Sequence, residues 1–149
     1  MTDPVRAGAN PERAVLSVNS RFYAAFEAGD LDAMEEVWVS RGHAVCIHPG
    51  WSPVVGVSAV RRSWAVVMAN TPYIQFILTD VSVSVLGDVA SVTCTENVLA
   101  AGEGSPTEGF AGGKAVTTNV FRRSTDGWRL WIHHASPVLS GEESDRDGE

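Results

Sequence analysis

Cysteine, basic charge and long apolar runs are all scarce in this chain, and each scarcity removes a class of protein. Only two of the 149 residues are cysteine, and Cys46 and Cys94 each sit inside an apolar, strand-like run. Two such residues are expected as buried free thiols in a reducing compartment, not as a disulfide framework. No run approaches the roughly 20 apolar residues that a membrane-spanning helix needs. Met1–Asn10 lacks the apolar centre of a secretory signal, so the expectation is a cytoplasmic protein with no membrane partner. Lys and Arg number 11 against 18 Asp and Glu, a net charge of −7. Glu142, Glu143, Asp145, Asp147 and Glu149 against Arg146 place −4 of that in the C-terminal tail. No basic stripe remains that could neutralise a run of phosphates, so no nucleic acid is expected as a partner. Gly-x-Ser-x-Gly, His-x-His and His-Glu-x-x-His spacings are missing as well, and with them the signals for a nucleophile elbow or a metal motif. No metal and no cofactor is implied.

What is present is the material of one folded domain: 44% hydrophobic and 19% charged residues in a length typical of a single core. Residues 1–9 read as a flexible N-terminus, 10–139 as the domain and 140–149 as an acidic, disordered tail. Asn10-Pro11 starts a first helix, because Asn can cap free amides and Pro suits the first helical position. Val15, Val18, Phe22 and Phe26 then form one apolar stripe, and Gly29 stops it. Asp30 caps a second helix carrying Leu31, Met34, Val37 and Trp38. A short strand ends at His48-Pro49-Gly50, and Ser58 is expected to cap a third helix with Val60, Trp64, Val67 and Met68 inward.

After Pro72 the apolar period changes from about 3.6 to 2. Tyr73–Leu86, Val89–Ala101, Ala115–Arg123 and Trp128–Ser136 read as long strands. Gly87-Asp88 and Thr125-Asp126-Gly127 are hairpin turns between antiparallel neighbours. The glycine-rich segment 102–113 is expected to be a loop or lid. Within the first long strand Ile74, Phe76 and Leu78 share one parity and Val81, Val83 and Val85 the other, which predicts a bulge at Thr79-Asp80 or a strand buried on both sides. The fold class is α+β: three N-terminal helices packed on a strongly curved, mostly antiparallel sheet. Trp131 falls on the outer face of that sheet, where apolar residues predict a second subunit.

Several motifs in this order resemble the nuclear transport factor 2-like superfamily, in its SnoaL-like and ketosteroid isomerase-like branch. They are Arg21-Phe22-Tyr23-Ala24-Ala25-Phe26-Glu27-Ala28-Gly29-Asp30-Leu31-Asp32, His48-Pro49-Gly50 with Val55-Gly56 and the Ser58–Trp64 helix, Val92-Thr93-Cys94-Thr95-Glu96, and Trp128–Pro137. The resemblance spans about residues 10–139 and implies a cone-shaped domain whose helices close a curved sheet over an apolar pocket. It places His48 where ketosteroid isomerase has its aspartate base, and Phe22 and Asn119 where that enzyme has its oxyanion donors. Phe22 cannot donate a hydrogen bond, so half of that oxyanion hole is missing.

Strand parity gives an independent list of pocket residues. Ala90, Val92, Cys94, Glu96 and Val98 share a face, which leaves one carboxyl among apolar neighbours that must be paired or protonated. On the last strand Leu130, Ile132 and His134 are expected inward, and Trp131 and His133 outward at a homodimer contact. The candidate catalytic set is therefore His48, Glu96 and His134, with one imidazole as base and Glu96 orienting it. Phe22, Trp51, Trp64, Asn119 and Ile132 are expected to contact the substrate, a small hydrophobic molecule undergoing isomerase- or lyase-type proton transfer. A non-catalytic binding or accessory dimer and a purely structural Glu–His bridge remain open alternatives. The three groups His48, Glu96 and His134 are also the one set that could converge on a metal.

Overall fold

The computed structural model describes residues 10–100 and 113–139. The expectations for 1–9, for 140–149 and for nearly all of the glycine-rich 102–113 segment lie outside the described residues. Helix α1 (Pro11–Ala28) begins where Asn10 accepts from the Arg13 amide, and Gly29 ends it at φ 64°, a left-handed conformation that costs glycine little. Helix α2 (Leu31–Val37) starts under the Asp30 carboxylate, which accepts from the Ala33 amide at 3.0 Å. Strands β1 (Val45–Ile47) and β2 (Val54–Val55) precede helix α3 (Val57–Ala69). The cap of α3 is Gly56, with no side-chain bond, not Ser58.

Four long strands follow: β3 (Ile74–Leu86), β4 (Val89–Ala100), β5 (Lys114–Ser124) and β6 (Gly127–Pro137). They form a six-stranded sheet in the order β2-β1-β6-β5-β4-β3. Only the β1–β6 pair is parallel; the others are antiparallel. The helices bury one face of this sheet around Val15, Phe22, Met34, Trp64, Val92, Phe121 and Leu130. The fold is α+β, as the change of period requires.

Two register shifts decide which side chains enter the core. In β3, Thr79 pairs with Thr95 and Ser82 with Thr93, so Asp80 and Val81 together oppose Cys94. Asp80 takes φ 54° to make that bulge. A second shift lies in β6: Asn119 pairs with His133, Val120 with Ile132, but Phe121 with Leu130. Trp131 is thus an extra residue, and one extra residue exchanges the faces of everything beyond it. Leu130, His133 and Ala135 all point inward, whereas His134 is exposed. The expectation that Leu130, Ile132 and His134 share the inner face fails at this bulge.

Candidate functional site

His48 closes β1, and the following Pro49-Gly50 turn brings the Trp51 amide back to the His48 carbonyl at 2.9 Å. The His48 ring is buried, with Trp51 and Trp64 rings 4.6 and 4.7 Å away. Its Nε2 lies 2.9 Å from the Ser63 hydroxyl of α3. That hydroxyl already donates its only proton to the Val60 carbonyl at 2.7 Å. Ser63 must therefore accept from His48, and Nε2 carries the hydrogen. Burial lowers the His48 pKa to about 4, so the ring is neutral and Nδ1 holds the lone pair.

The second imidazole of the cavity is His133, not His134. His133 is 2% exposed, and its Nδ1 lies 2.7 Å from Asn119 Oδ1. Asn119 in turn donates from Nδ2 to Asn19 Oδ1 on α1 at 2.8 Å. An amide oxygen only accepts, so Nδ1 of His133 carries the hydrogen and Nε2 is its bare nitrogen. Burial, with smaller contributions from His48 and His134, lowers this pKa to about 3. His133 therefore leaves the outer face on which a dimer contact was expected.

Glu96 is buried on β4, but its partner is no histidine. Tyr23 of α1 donates to Glu96 Oε2 at 2.5 Å. Burial raises the Glu96 pKa, against the lowering influence of the Thr117 and Tyr23 hydroxyls. Thr117 stands near enough to exert that influence, yet its Oγ1 makes no hydrogen bond within 3.5 Å among the described residues. Burial first, and then the neighbouring Glu96, raises Tyr23 well above its ordinary value. Both thiols are pushed up by burial as well, which leaves Cys46 and Cys94 without thiolate character.

His48, Glu96 and His133 line one cavity with the aromatic walls Phe22, Phe26, Phe76 and Trp64, and with Trp51, 41% exposed, where the lining meets solvent. Its volume is about 60 Å³, far below the roughly 300–1,000 Å³ of sites for drug-sized molecules. A polycyclic ligand does not fit this shape. A larger cleft of about 430 Å³ lies on the other side of Trp64, between α2 and α3. An Arg61–Glu35 ion pair spans its rim, and no histidine lines it. Asn119 stands behind His133 and not on the cavity wall, while Ile132 and His134 lie off it. Among the described residues no group of three His, Cys, Asp or Glu is placed to hold a metal ion; with His134 turned out, the His48–Glu96–His134 set does not form.

Sequence reasoning missed Tyr23, Asn19, Ser63 and His133. For the first two a signal existed: Asn19 and Tyr23 are four apart, on the flank of the Val15–Val18–Phe22 stripe, so both face the sheet. Ser63 shares the buried side of α3 with Val60 and Trp64.

Residues 15–140 match the model of the SnoaL-like domain. The chain belongs to this SnoaL-like family. A structure from Streptomyces avermitilis, of the NTF2-like family and with a suggested dehydratase description, is 44% identical over 89% of this chain and 99% of its own, at a TM-score of 0.79. A Thiobacillus denitrificans structure with a suggested description as a calcium/calmodulin-dependent protein kinase type II association domain is 33% identical over 82% and 93%, at 0.72. At 22% identity, an NTF2-like protein with a cystatin-like fold from Novosphingobium aromaticivorans shares the fold over 99% and 97%, at 0.66. F-box protein SKIP8 of Arabidopsis thaliana is 27% identical over 131 residues, which are 88% of this chain and 52% of that protein. The SnoaL-like chain thus spans about half the length of this curated relative.

Proposed function

We propose that this SnoaL-like domain binds a small neutral molecule in the His48–His133 cavity and moves a proton on it in a lyase- or isomerase-type step. The observation that carries the reading is the fixed state of His48. Ser63 holds its Nε2–H, so an unprotonated Nδ1 belongs to a ring that lines an apolar chamber. Such a ring is available as a base throughout the neutral range. Phe22, Phe26 and Phe76 exclude water, and His133 with its Asn119–Asn19 relay holds the opposite polar edge. The suggested dehydratase description of the Streptomyces avermitilis relative supports the lyase branch.

The test is proton exchange in D₂O, followed by NMR on a panel of single-ring ketones and alcohols. The wild type is expected to exchange a carbon-bound proton of at least one member roughly 10²–10⁴ times faster than His48→Gln, the span of a positioned general base. Equal rates across the panel for both proteins would sink the catalytic reading. A second reading, binding without turnover, is favoured by one specific observation: a pKa of about 4 makes His48 a weak base. In that case the panel binds and nothing exchanges.

The same proposal includes a second copy of the chain on the outer sheet face. Ile77, Leu99 and Val116 are exposed there at 57, 49 and 48%. Trp131, half-buried beside them, lies under the Arg122 guanidinium at 4.8 Å. An apolar sheet face of this kind favours a symmetric partner. Trp131→Glu is expected to give a monomer by light scattering after size exclusion, where the wild type runs as a dimer; an unchanged mass would remove this face from the contact. No helix of the described residues is long and apolar enough to cross a membrane.

A further inference from the structure

The cleft between α2 and α3 has no part in the proposed function, yet its lining has the size and chemistry of a ligand site. Its volume of about 430 Å³ falls within the range of small-molecule sites. Leu31, Met34, Trp38, Val57, Val60 and Trp64 supply apolar walls, and Met34, Trp38, Val60 and Trp64 are at most 4% exposed. Charge stands at the rim, on Asp32, Glu35, Glu36, Arg61 and Arg129. Both arginines are engaged. Arg61 donates from Nε to Glu35 at 3.0 Å. Arg129 donates from one Nη to the Glu36 and Trp38 carbonyls at 3.0 and 3.3 Å, and its other Nη lies 3.9 Å from the Asp126 carboxylate. Asp32 and Glu36 sit one turn apart on α2, and neither carboxylate has an ion pair or hydrogen bond among the described residues. Three lining acids and Asp126 against two arginines leave a charge of −2 at the mouth of the cleft. The Trp38 and Trp64 indole nitrogens are fully buried, so neither N–H offsets that charge by donating to an occupant.

We infer that this cleft binds an organic ammonium ion, whose apolar body lies against the Trp38 and Trp64 walls while its N–H groups reach the Asp32 and Glu36 carboxylates at the rim. Burial of the body supplies most of the affinity, and the rim sets the preferred charge. Exposed carboxylates alone hold a cation weakly; the buried walls beneath them make the site. A hydrophobic acid of the same shape would meet two uncompensated carboxylates, and both arginines beside it are already engaged. The site is separate from the His48–His133 cavity, because Trp64 is the wall between the two. It stands whether or not the smaller cavity moves a proton, and the His48→Gln exchange test reads that cavity independently.

The experiment titrates the intact chain with 2-phenylethylammonium, 2-phenylethanol and 3-phenylpropionate, probes of similar shape and different charge. Calorimetry at low salt measures affinity, and ¹H–¹⁵N NMR locates each probe. The ammonium is expected to bind about three- to tenfold tighter than the alcohol, the span that partly exposed ion pairs allow, and the propionate more weakly than either. In wild type at 1 M salt, where the screening length is about 3 Å, that advantage is expected to shrink below about twofold. The double variant Asp32→Asn/Glu36→Gln is expected to lose it likewise at low salt, and both positions are exposed, so the fold should tolerate the change. Signals are expected to shift at the α2 and α3 amides and at the Trp38 indole N–H. Equal or tighter binding of the alcohol or the propionate overturns the charge preference. Shifts centred on His48 and His133, with α2 unmoved, overturn the cleft as the site. Binding of none of the three overturns the inference as a whole.

Discussion

Phe22→Ala is expected to lower the unfolding free energy by about 3–5 kcal/mol, the usual cost of emptying a buried aromatic site. Phe22 is fully buried, and its ring meets Tyr23, Trp64 and His133 at centroid distances of 4.8, 5.4 and 4.8 Å. Those three residues come from α1, α3 and β6, so no single element can move inward to fill the gap. Both the lost transfer energy and the remaining cavity should therefore register. Urea titration checks it: the midpoint should fall with an unchanged slope. In a domain of this size the melting temperature should drop by about 6–20 °C. A loss under about 1 kcal/mol would mean that the packing around His133 collapses easily, contrary to a rigid site.

Acid is expected to destabilise the fold well before ordinary carboxylates titrate. Free imidazoles take up protons near 6.5, but burial holds His48 and His133 neutral down to about 4 and about 3. Between those limits the unfolded chain binds protons that the folded chain refuses. The histidine contribution is thus complete above pH 6.5 and disappears as the pH falls toward 4. For His48 alone the change is about 3 kcal/mol, at 1.36 kcal/mol for each pKa unit. Glu96 works in the opposite sense. Its raised folded pKa gives stability that is present below the ordinary carboxyl value and lost as the pH rises through the folded one. Two histidines against one carboxyl leave a net loss on acidification. Melting curves from pH 8 to pH 4.5 check this, and His48→Gln should flatten the profile. A wild-type melting temperature that stays constant between pH 7 and pH 5 would show that the rings are protonated inside the fold at little cost.

The fold was largely legible because its signals are local. Asn10-Pro11 and Gly29 bracket a helix by backbone chemistry, and the change of period after Pro72 separates helices from sheet. The β3 bulge was legible as one of two options, since the change of apolar parity between Leu78 and Val81 fits a strand buried on both sides equally well; pairing with β4 decides for the bulge. The β6 bulge was not. Leu130 and Ile132 alternate with charged or ring-bearing neighbours as a regular strand would, and the extra residue, Trp131, is bulky and apolar. Only pairing with β5 reveals that Phe121 meets Leu130 while Val120 meets Ile132. That single offset exchanged His133 for His134 and removed Ile132 from the cavity. The Glu96 partner was misjudged for a different reason. Parity describes one sheet face but says nothing about what a helix brings to it, and Tyr23 arrives from α1.

The parallel pairing of β1 with β6 sets Cys46 beside His133 and Ile47 beside His134. His48 and His133 therefore become neighbours only when an early strand receives the last one. Closing so wide a loop is slow in folding terms, and synthesis runs from the N-terminus. A growing polypeptide that has already made all three helices still possesses no chamber with two imidazoles. Whatever this protein binds, the nascent chain on the ribosome is blind to it until β6 emerges.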